Sequence, residues 1–446
     1  MQNKTNRNLS PTGQTNSRLT SLSTGLSDSI ITNWAGNIQF TTDKVYFPDT
    51  VAEVQELVQK HDKLKVLGSR HCFNRIADSP DYLLSTKRLN KIISLDTQAH
   101  TVTVEGGIKY GELAPYLHEH GYALHNLASL PHISVAGSII TATHGSGVGN
   151  GNLAVPVQAL EMVLADGSIS TFSKEKDGDL FNGLVVNLGA VGVITKVTLA
   201  LEPAYQMQQV VYENLPLAQF TANFQEIVAA GYSVSLFTDW RHNSFTEVWI
   251  KSKINNNHNN SVAPAFFGAT AATQPLHPIA GVPAENCTEQ LGLPGAWYER
   301  LPHFKMGFTP SSGVELQSEY FVASHYAVDA IQAIANLGEQ ISPYLFVSEI
   351  RTIAADNLWL SPCYQQPTVA IHFTWKQDWL AVSKLLPLIE KELAPFQARP
   401  HWGKLFTMPA EVIATRYEKL DAFKNLALQL DPTGKFRNEY LNQTIF

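Results

Sequence analysis

From Val51 to His61 the apolar residues Val51, Val54, Leu57 and Val58 recur at helical spacing and predict a helix. A short strand, Lys63–Leu67, follows and runs straight into the small residues Gly68 and Ser69. Lys91–Glu105 reads as two strands around an Asp96-Thr97-Gln98 turn. Tyr110–His120 predicts a second helix, closed by Gly121. Ala159–Phe172 predicts a hairpin turning at Asp166-Gly167, then Asp179–Val186 a helix, Gly189–Gly192 a turn and Val193–Leu201 a strand. These strands do not alternate regularly with long helices. The expected unit is therefore mixed α+β rather than a doubly wound parallel sheet.

The pattern changes near Glu202-Pro203. Longer strands follow, such as Ser233–Asp239 and Thr246–Lys253, and then residues 254–314 turn rich in Asn, Gly and Pro. So long an irregular stretch in a compact enzyme often covers part of a site. Strands return at Leu316–Val322, Leu345–Ile353 and Val369–Trp375, with helices at Tyr326–Leu337 and Trp379–Leu393. This predicts a second domain built on an antiparallel sheet with flanking helices. No internal repeat is evident.

Composition narrows the function classes. A chain of 446 residues points to two or three domains, and 44% hydrophobic residues can fill substantial cores. Charged residues make up only 16%, which favours a large, well-buried enzyme over a scaffold. A net charge of -7 with no long basic run argues against a nucleic-acid partner. Cys72, Cys287 and Cys363 are odd in number and far apart, so neither a disulfide framework nor a zinc ribbon is expected. The reducing cytoplasm is the expected compartment. Residues 1–29 are rich in Ser, Thr and Asn, lack an apolar core segment, and read as a flexible tail rather than a signal peptide. No apolar run reaches the roughly 18 residues of a membrane span.

Four places carry candidate chemistry. The first is Val66–Asn74, where a strand ends in a small-residue turn that presents His71; such a turn aims backbone N–H groups at one point and suits an anion. The second is Ser129–Ser138 followed by Thr141–Gly145, small residues that let backbone approach a flat ligand, or equally a tightly packed turn. The glycine-rich run Gly145–Gly151 is not a dinucleotide fingerprint, since its spacing is wrong, and reads as a close-packed loop. The third is a pair of apolar strands that each display two polar residues on one face: Glu349 with Arg351, and His372 with Thr374. In one sheet these would line a pocket; otherwise they form an exposed face with a surface salt bridge. The fourth is Lys404, after Pro400-His-Trp-Gly403. Fifteen histidines are present, yet no HxxxH, HExxH or paired Cys/His spacing predicts a metal site.

Taken together these segments resemble the flavoprotein oxidases of the vanillyl-alcohol oxidase type and, within them, the bacterial alditol (xylitol) oxidases. The resemblance spans nearly everything from Ile30 onward. It rests on Val66–Asn74, Ala128–Gly137, Thr143–Gly151, Cys287–Gln290, Glu349-Ile-Arg351, His372-Phe-Thr374 and His401-Trp-Gly-Lys404. The last motif alone is weaker, because sugar-lactone oxidases share it.

The resemblance implies an FAD-binding domain in two pieces, residues 30–205 and a returning segment 406–446, with a substrate (cap) domain at 206–405 between them. It implies FAD held covalently through its 8α-methyl group to His71. The Gly68–Cys72 turn would cradle the pyrophosphate, with Val66, Leu67, Gly68, Ser69, Arg70 and Cys72 among the cofactor-binding residues. Ser129, Ser134, Gly137, Thr141, Ala142, Thr143, His144 and Ile194 would contact the cofactor. Cys72 stands where such oxidases often carry Ser, and a second attachment through it is not expected. Oxidation of a polyol's primary alcohol would use Lys404, Arg351, His372 and Glu349 as catalytic groups. Ser129, Gln317, Glu349, Arg351, Thr374 and Lys404 would bind substrate. Oxygen would be the electron acceptor, and a monomer without membrane or nucleic-acid partners is expected. The rival readings are a sugar-1,4-lactone oxidase or dehydrogenase of the same family and a non-catalytic carbohydrate-binding protein.

Overall fold

The computed structural model describes residues 31–254 and 262–446; the expected tail at 1–29 lies outside the described residues. A small parallel sheet opens the fold, with Leu83–Ser85 between Val45–Tyr46 and Lys65–Leu67 (β1). Strands of two and three residues are too short to show periodicity, which is why this sheet is invisible in the sequence. The helix Val51–Lys60 packs beside it through Val54, Leu57 and Val58, and Thr50 caps it by accepting the Glu53 N–H at 3.2 Å. A five-stranded antiparallel sheet follows in the order Ile92–Asp96, Thr101–Glu105, Val193–Ala200, Val157–Val163, Ile169–Ser173. Its hairpins turn where the sequence predicts them.

Among the described residues the large sheet has ten strands, all pairing antiparallel and all drawn from residues 206–400. Its centre is formed by Ser233–Thr238 (β2), Leu316–Ala323 (β3), Leu345–Ile353 (β4) and Thr368–Trp375 (β5), in the spatial order β2-β4-β5-β3. β3, β4 and β5 are buried on both faces save for half-buried Phe346. One face, with Tyr320, Val322, Ile350, Ile371, Phe373 and Trp375, belongs to the main hydrophobic core. The helices Ala327–Ala335 (α1) and Trp379–Leu393 (α2) pack on that side, α2 through the stripe Val382, Leu385, Leu386, Ile389 and Leu393. The opposite face carries the polar residues.

The glycine-rich run links the two halves. Gly147 N–H donates to Thr352 O at 2.9 Å, Ala354 N–H to Asn150 O at 2.9 Å, and Asn150 Nδ2 to Tyr232 O at 2.9 Å. The loop is close-packed: a Cβ on Gly145 would lie 2.4 Å from Leu127 O and 2.5 Å from Asn126 Oδ1. The C-terminal segment closes against the first sheet. Leu64 N–H donates to Lys435 O at 3.1 Å, and Asn74 Nδ2 donates to Tyr440 Oη at 2.8 Å.

Gly145→Ala should therefore force backbone apart and lower stability by about 1–3 kcal/mol. Gly149→Ala, whose Cβ meets nothing within 4 Å, should leave the thermal midpoint almost unchanged. Paired melting curves of the two variants check this.

Candidate active site

A cavity with about 1530 Å³ of free space, part of it open to solvent, runs between the β1 turn and the polar face of the large sheet. The same cavity is lined by both the β1 turn and the polar strands of the large sheet, so one space joins the two candidate sites. Val66, Leu67, Gly68, Ser69, Arg70, His71 and Cys72 line one end. Ser129, Gly137, Thr141, Thr143 and His144 line the middle, and Gln317, Glu349, Arg351, His372, Thr374 and Lys404 the far wall. Ala142 and Ile194 are buried and do not line the cavity, whereas buried Ser134 sets its Oγ beside the lining residues Gly68 and Gly137. The irregular stretch after 261 supplies Pro278, Ile279, His303, Phe304 and Ser311 to the same wall.

At the first end the chain makes a tight cradle. Arg70 adopts φ 64°, and its carbonyl accepts the Trp34 N–H at 2.8 Å. The His71 ring stacks on Trp34, centroids 5.3 Å apart and planes 20° from parallel. Ser69 Oγ accepts the Ser134 N–H at 3.1 Å and lies 3.1 Å from His71 Nδ1. His71 Nε2 and Ser134 Oγ are buried without a partner. Burial, aided by nearby His132 and Lys404, pushes the His71 pKa down to about 3, so its ring is neutral. A Cβ on Gly68 would sit 2.8 Å from Ser134 Oγ, so only glycine leaves the gap open. Orphaned polar atoms and a glycine-lined gap are what a polar, flat cofactor such as FAD fills. Burial raises the Cys72 thiol to about 11, which keeps it protonated and a poor nucleophile.

At the far wall the sheet register does the positioning. Glu319 on β3 pairs with His372 on β5, and His372 pairs with Glu349 on β4. Gln317 pairs with Thr374 in the neighbouring row. Alternation along each strand then brings Arg351 onto the same face as Glu349. Arg351 Nε lies 3.3 Å from Glu349 Oε1, Nη2 lies 3.5 Å from Glu319 Oε1, and Nη1 donates to Ser129 Oγ at 3.1 Å. His372 Nε2 is 3.2 Å from Thr374 Oγ1, and its Nδ1 is 3.5 Å from Glu319 Oε2. Lys404 Nζ donates to Gln317 Oε1 and lies 4.8 Å from the Phe73 ring centre. The pocket alternative is thus the one the fold adopts.

Burial alone would raise both carboxyls. At Glu349 the Arg351 and His303 side chains outweigh it, and at Glu319 His144 and His372 do, so both are held well below the usual range and are ionised. Burial lowers His372, with Glu319 opposing that shift. Lys404 is lowered by burial, with Arg351 adding to it against Glu319 and Glu315.

Sequence reasoning missed Glu319, His303, His401 and Trp34. Glu319 left a signal, a carboxylate inside an apolar strand two residues from Gln317, and His401 opens the motif that ends at Lys404 without a role of its own; His303 and Trp34 left none. His144, Glu319 and His401 have ligand atoms within 4.8 Å of one another, the spacing of a metal set. Glu319 is already bonded to His144 Nε2 at 3.1 Å, and the Arg351 guanidinium beside it opposes a further cation.

Comparison with known proteins identifies the family. Residues 42–173 match the FAD binding domain family, and residues 313–444 match the D-arabinono-1,4-lactone oxidase family. The chain is 47% identical to alditol oxidase of Streptomyces sp. over 93% of its own length and 99% of that protein. It is 26% identical to L-gulonolactone oxidase of Mus musculus, covering 93% of this chain and 98% of that one. The fold superposes on cholesterol oxidase from B. sterolicum with a TM-score of 0.76 at 15% identity, over 94% and 96% of the two chains. Among the described residues, no helix is long and apolar enough to cross a membrane. With a flat, orphan-lined cradle at one end and ionised residues at the other, the chain belongs to the alditol oxidase family of FAD-dependent oxidases.

Proposed function

We propose that this protein oxidises the terminal primary alcohol of an alditol, such as xylitol or sorbitol, to the aldose, with oxygen reduced to hydrogen peroxide. The observation that carries the reading is the polar far wall: Ser129, Gln317, Glu349, Arg351, Thr374 and Lys404 around one cavity. A polyol offers a donor and an acceptor on nearly every carbon and matches such a wall. A phenol or steroid would leave those groups unpaired at about 1–3 kcal/mol each. The 47% identity to an alditol oxidase supports the same substrate class.

When bound, FAD supplies the hydride acceptor at N5 and the route of electrons to oxygen. Lys404 and Arg351 face the reacting hydroxyl and favour the negative charge that develops on its oxygen. His372, neutral through burial, accepts the hydroxyl proton. Glu349 holds Arg351 and accepts from substrate hydroxyls, while Ser129, Gln317 and Thr374 bind the rest. We read residues 30–205 and 406–446 as the FAD-binding domain and 206–405 as the substrate domain. We also read His71 as the point of covalent attachment, since its neutral ring has an unpartnered buried nitrogen. The match of residues 313–444 to a lactone oxidase family favours a sugar-1,4-lactone as the rival substrate.

Purified protein should release peroxide in step with xylitol or sorbitol consumption. Peroxide from gulonolactone but not from polyols would transfer the reading to the lactone. Lys404→Ala should lower kcat by roughly 10²–10³-fold with KM changed little; rapid-mixing measurement of flavin reduction checks it. His71→Ala should release its flavin on denaturation, whereas the parent keeps flavin fluorescence on its band in a denaturing gel.

A further inference from the structure

Glu319 has no assigned part in the reaction, yet it is 1% exposed and sits at the centre of the polar face. Its strand neighbours explain how it arrives there: the β3-β5 register sets it directly opposite His372. Oε1 takes His144 Nε2 at 3.1 Å and Arg351 Nη2 at 3.5 Å, while Oε2 faces His372 Nδ1 at 3.5 Å. An ionised carboxylate only accepts hydrogen bonds. His372 Nδ1 is buried with no hydrogen-bond partner within bonding range, and the Glu319 carboxylate is the acceptor it faces, so a proton on Nδ1 is the arrangement this pair favours.

We infer that Glu319 is a positioning residue that fixes His372 as its Nδ1–H tautomer, so that the Nε2 lone pair faces the cavity as the proton acceptor. Thr374 Oγ1, 3.2 Å from Nε2, can then donate to that lone pair while no substrate is bound. When an alcohol is oxidised, its O–H proton passes to Nε2. The O–H electron pair becomes the second C–O bond as the hydride leaves carbon for the cofactor. The logic is that of a carboxylate behind a catalytic imidazole: it orients the ring and stabilises the imidazolium without itself taking the proton. The inference rests on His372 being the base of the proposed polyol reaction.

The charged and titratable groups facing His372 come from three elements. Glu319 lies across β3, Glu349 and Arg351 on β4, and Lys404 and His401 on the segment after Pro400. Glu319→Gln removes the carboxylate that most favours the imidazolium and leaves burial and the two cations, with Glu349 alone opposing them. The pKa of His372 should fall further. The rising limb of the pH profile of kcat/KM, set by the base form, should then move to lower pH. At its plateau kcat should drop by roughly 10²–10⁴-fold with KM within about threefold.

The experiment measures pH profiles with xylitol for the parent, Glu319→Gln, Glu319→Asp and His372→Gln, beside NMR of isotope-labelled histidine that reports which ring nitrogen of residue 372 is protonated. Supporting results are a kcat loss with a lowered limb in Glu319→Gln, a limb restored toward the parent in Glu319→Asp, and an Nδ1–H ring in the parent that becomes mixed in Glu319→Gln. An unmoved limb in Glu319→Gln, or an Nε2–H ring in the parent, overturns the inference. If Glu319→Gln fails to fold, the limb and ring state of Glu319→Asp and the parent ring state decide. A limb that survives His372→Gln overturns the reading of His372 as base, and no polyol turnover by the parent overturns the substrate; both are distinct from failure at Glu319.

Discussion

A carboxylate taken out of water must be met by cations or N–H donors, and two of them, Glu319 and Glu349, are taken out together beside the same histidine. The effective penalty for each is several kcal/mol even after the protein relaxes. Arg351 answers both, with Nε toward Glu349 and Nη2 toward Glu319, while His144 and His303 complete the two shells. The far wall is therefore one interlocked charge network rather than a set of independent side chains. Removing a single partner leaves the others buried and unmatched, which typically costs about 3–5 kcal/mol. Such a network holds its geometry before any substrate arrives, and pre-set geometry is what makes electrostatic stabilisation effective.

The network reaches beyond the wall. His303 Nε2 donates to Glu349 Oε1 at 2.7 Å, and Lys251 Nζ lies 3.1 Å from His303 Nδ1. Lys251 also donates to the carbonyls of Leu301 and Pro302, at 2.6 and 2.9 Å, so a fully buried amine ties the irregular segment to the sheet. His303 N–H in turn donates to Ser129 O at 3.0 Å, near the hydroxyl that Arg351 holds. The stretch with the least regular structure is thus pinned where it meets the chemistry.

Much of this was legible in the chain. Alternation placed β4 and β5 correctly and put Glu349 with Arg351 and His372 with Thr374 on shared faces. The helix Trp379–Leu393 matched residue for residue. What escaped was non-local. Register between strands fifty residues apart decides that Glu319 meets His372, and no local pattern encodes register. Trp34 stacks on His71 across a gap in sequence that periodicity does not bridge. The parallel sheet around β1 and the helices Ala410–Arg416 and Glu439–Thr444 are short and gain their stability from packing, not from propensity.

The glycine-rich run bears on molecular traffic. Gly147 to Thr352, Ala354 to Asn150, Asn150 to Tyr232, Ser146 to Val234 and His144 to Glu319 are five stitches between the loop and the large sheet. At about 1 kcal/mol net apiece, swinging the sheet away from the loop forfeits on the order of 5 kcal/mol at once. A clamshell cycle is therefore an expensive way to load this enzyme. Substrate and product have a cheaper path through the part of the cavity already open to solvent, with the loop and the sheet left joined.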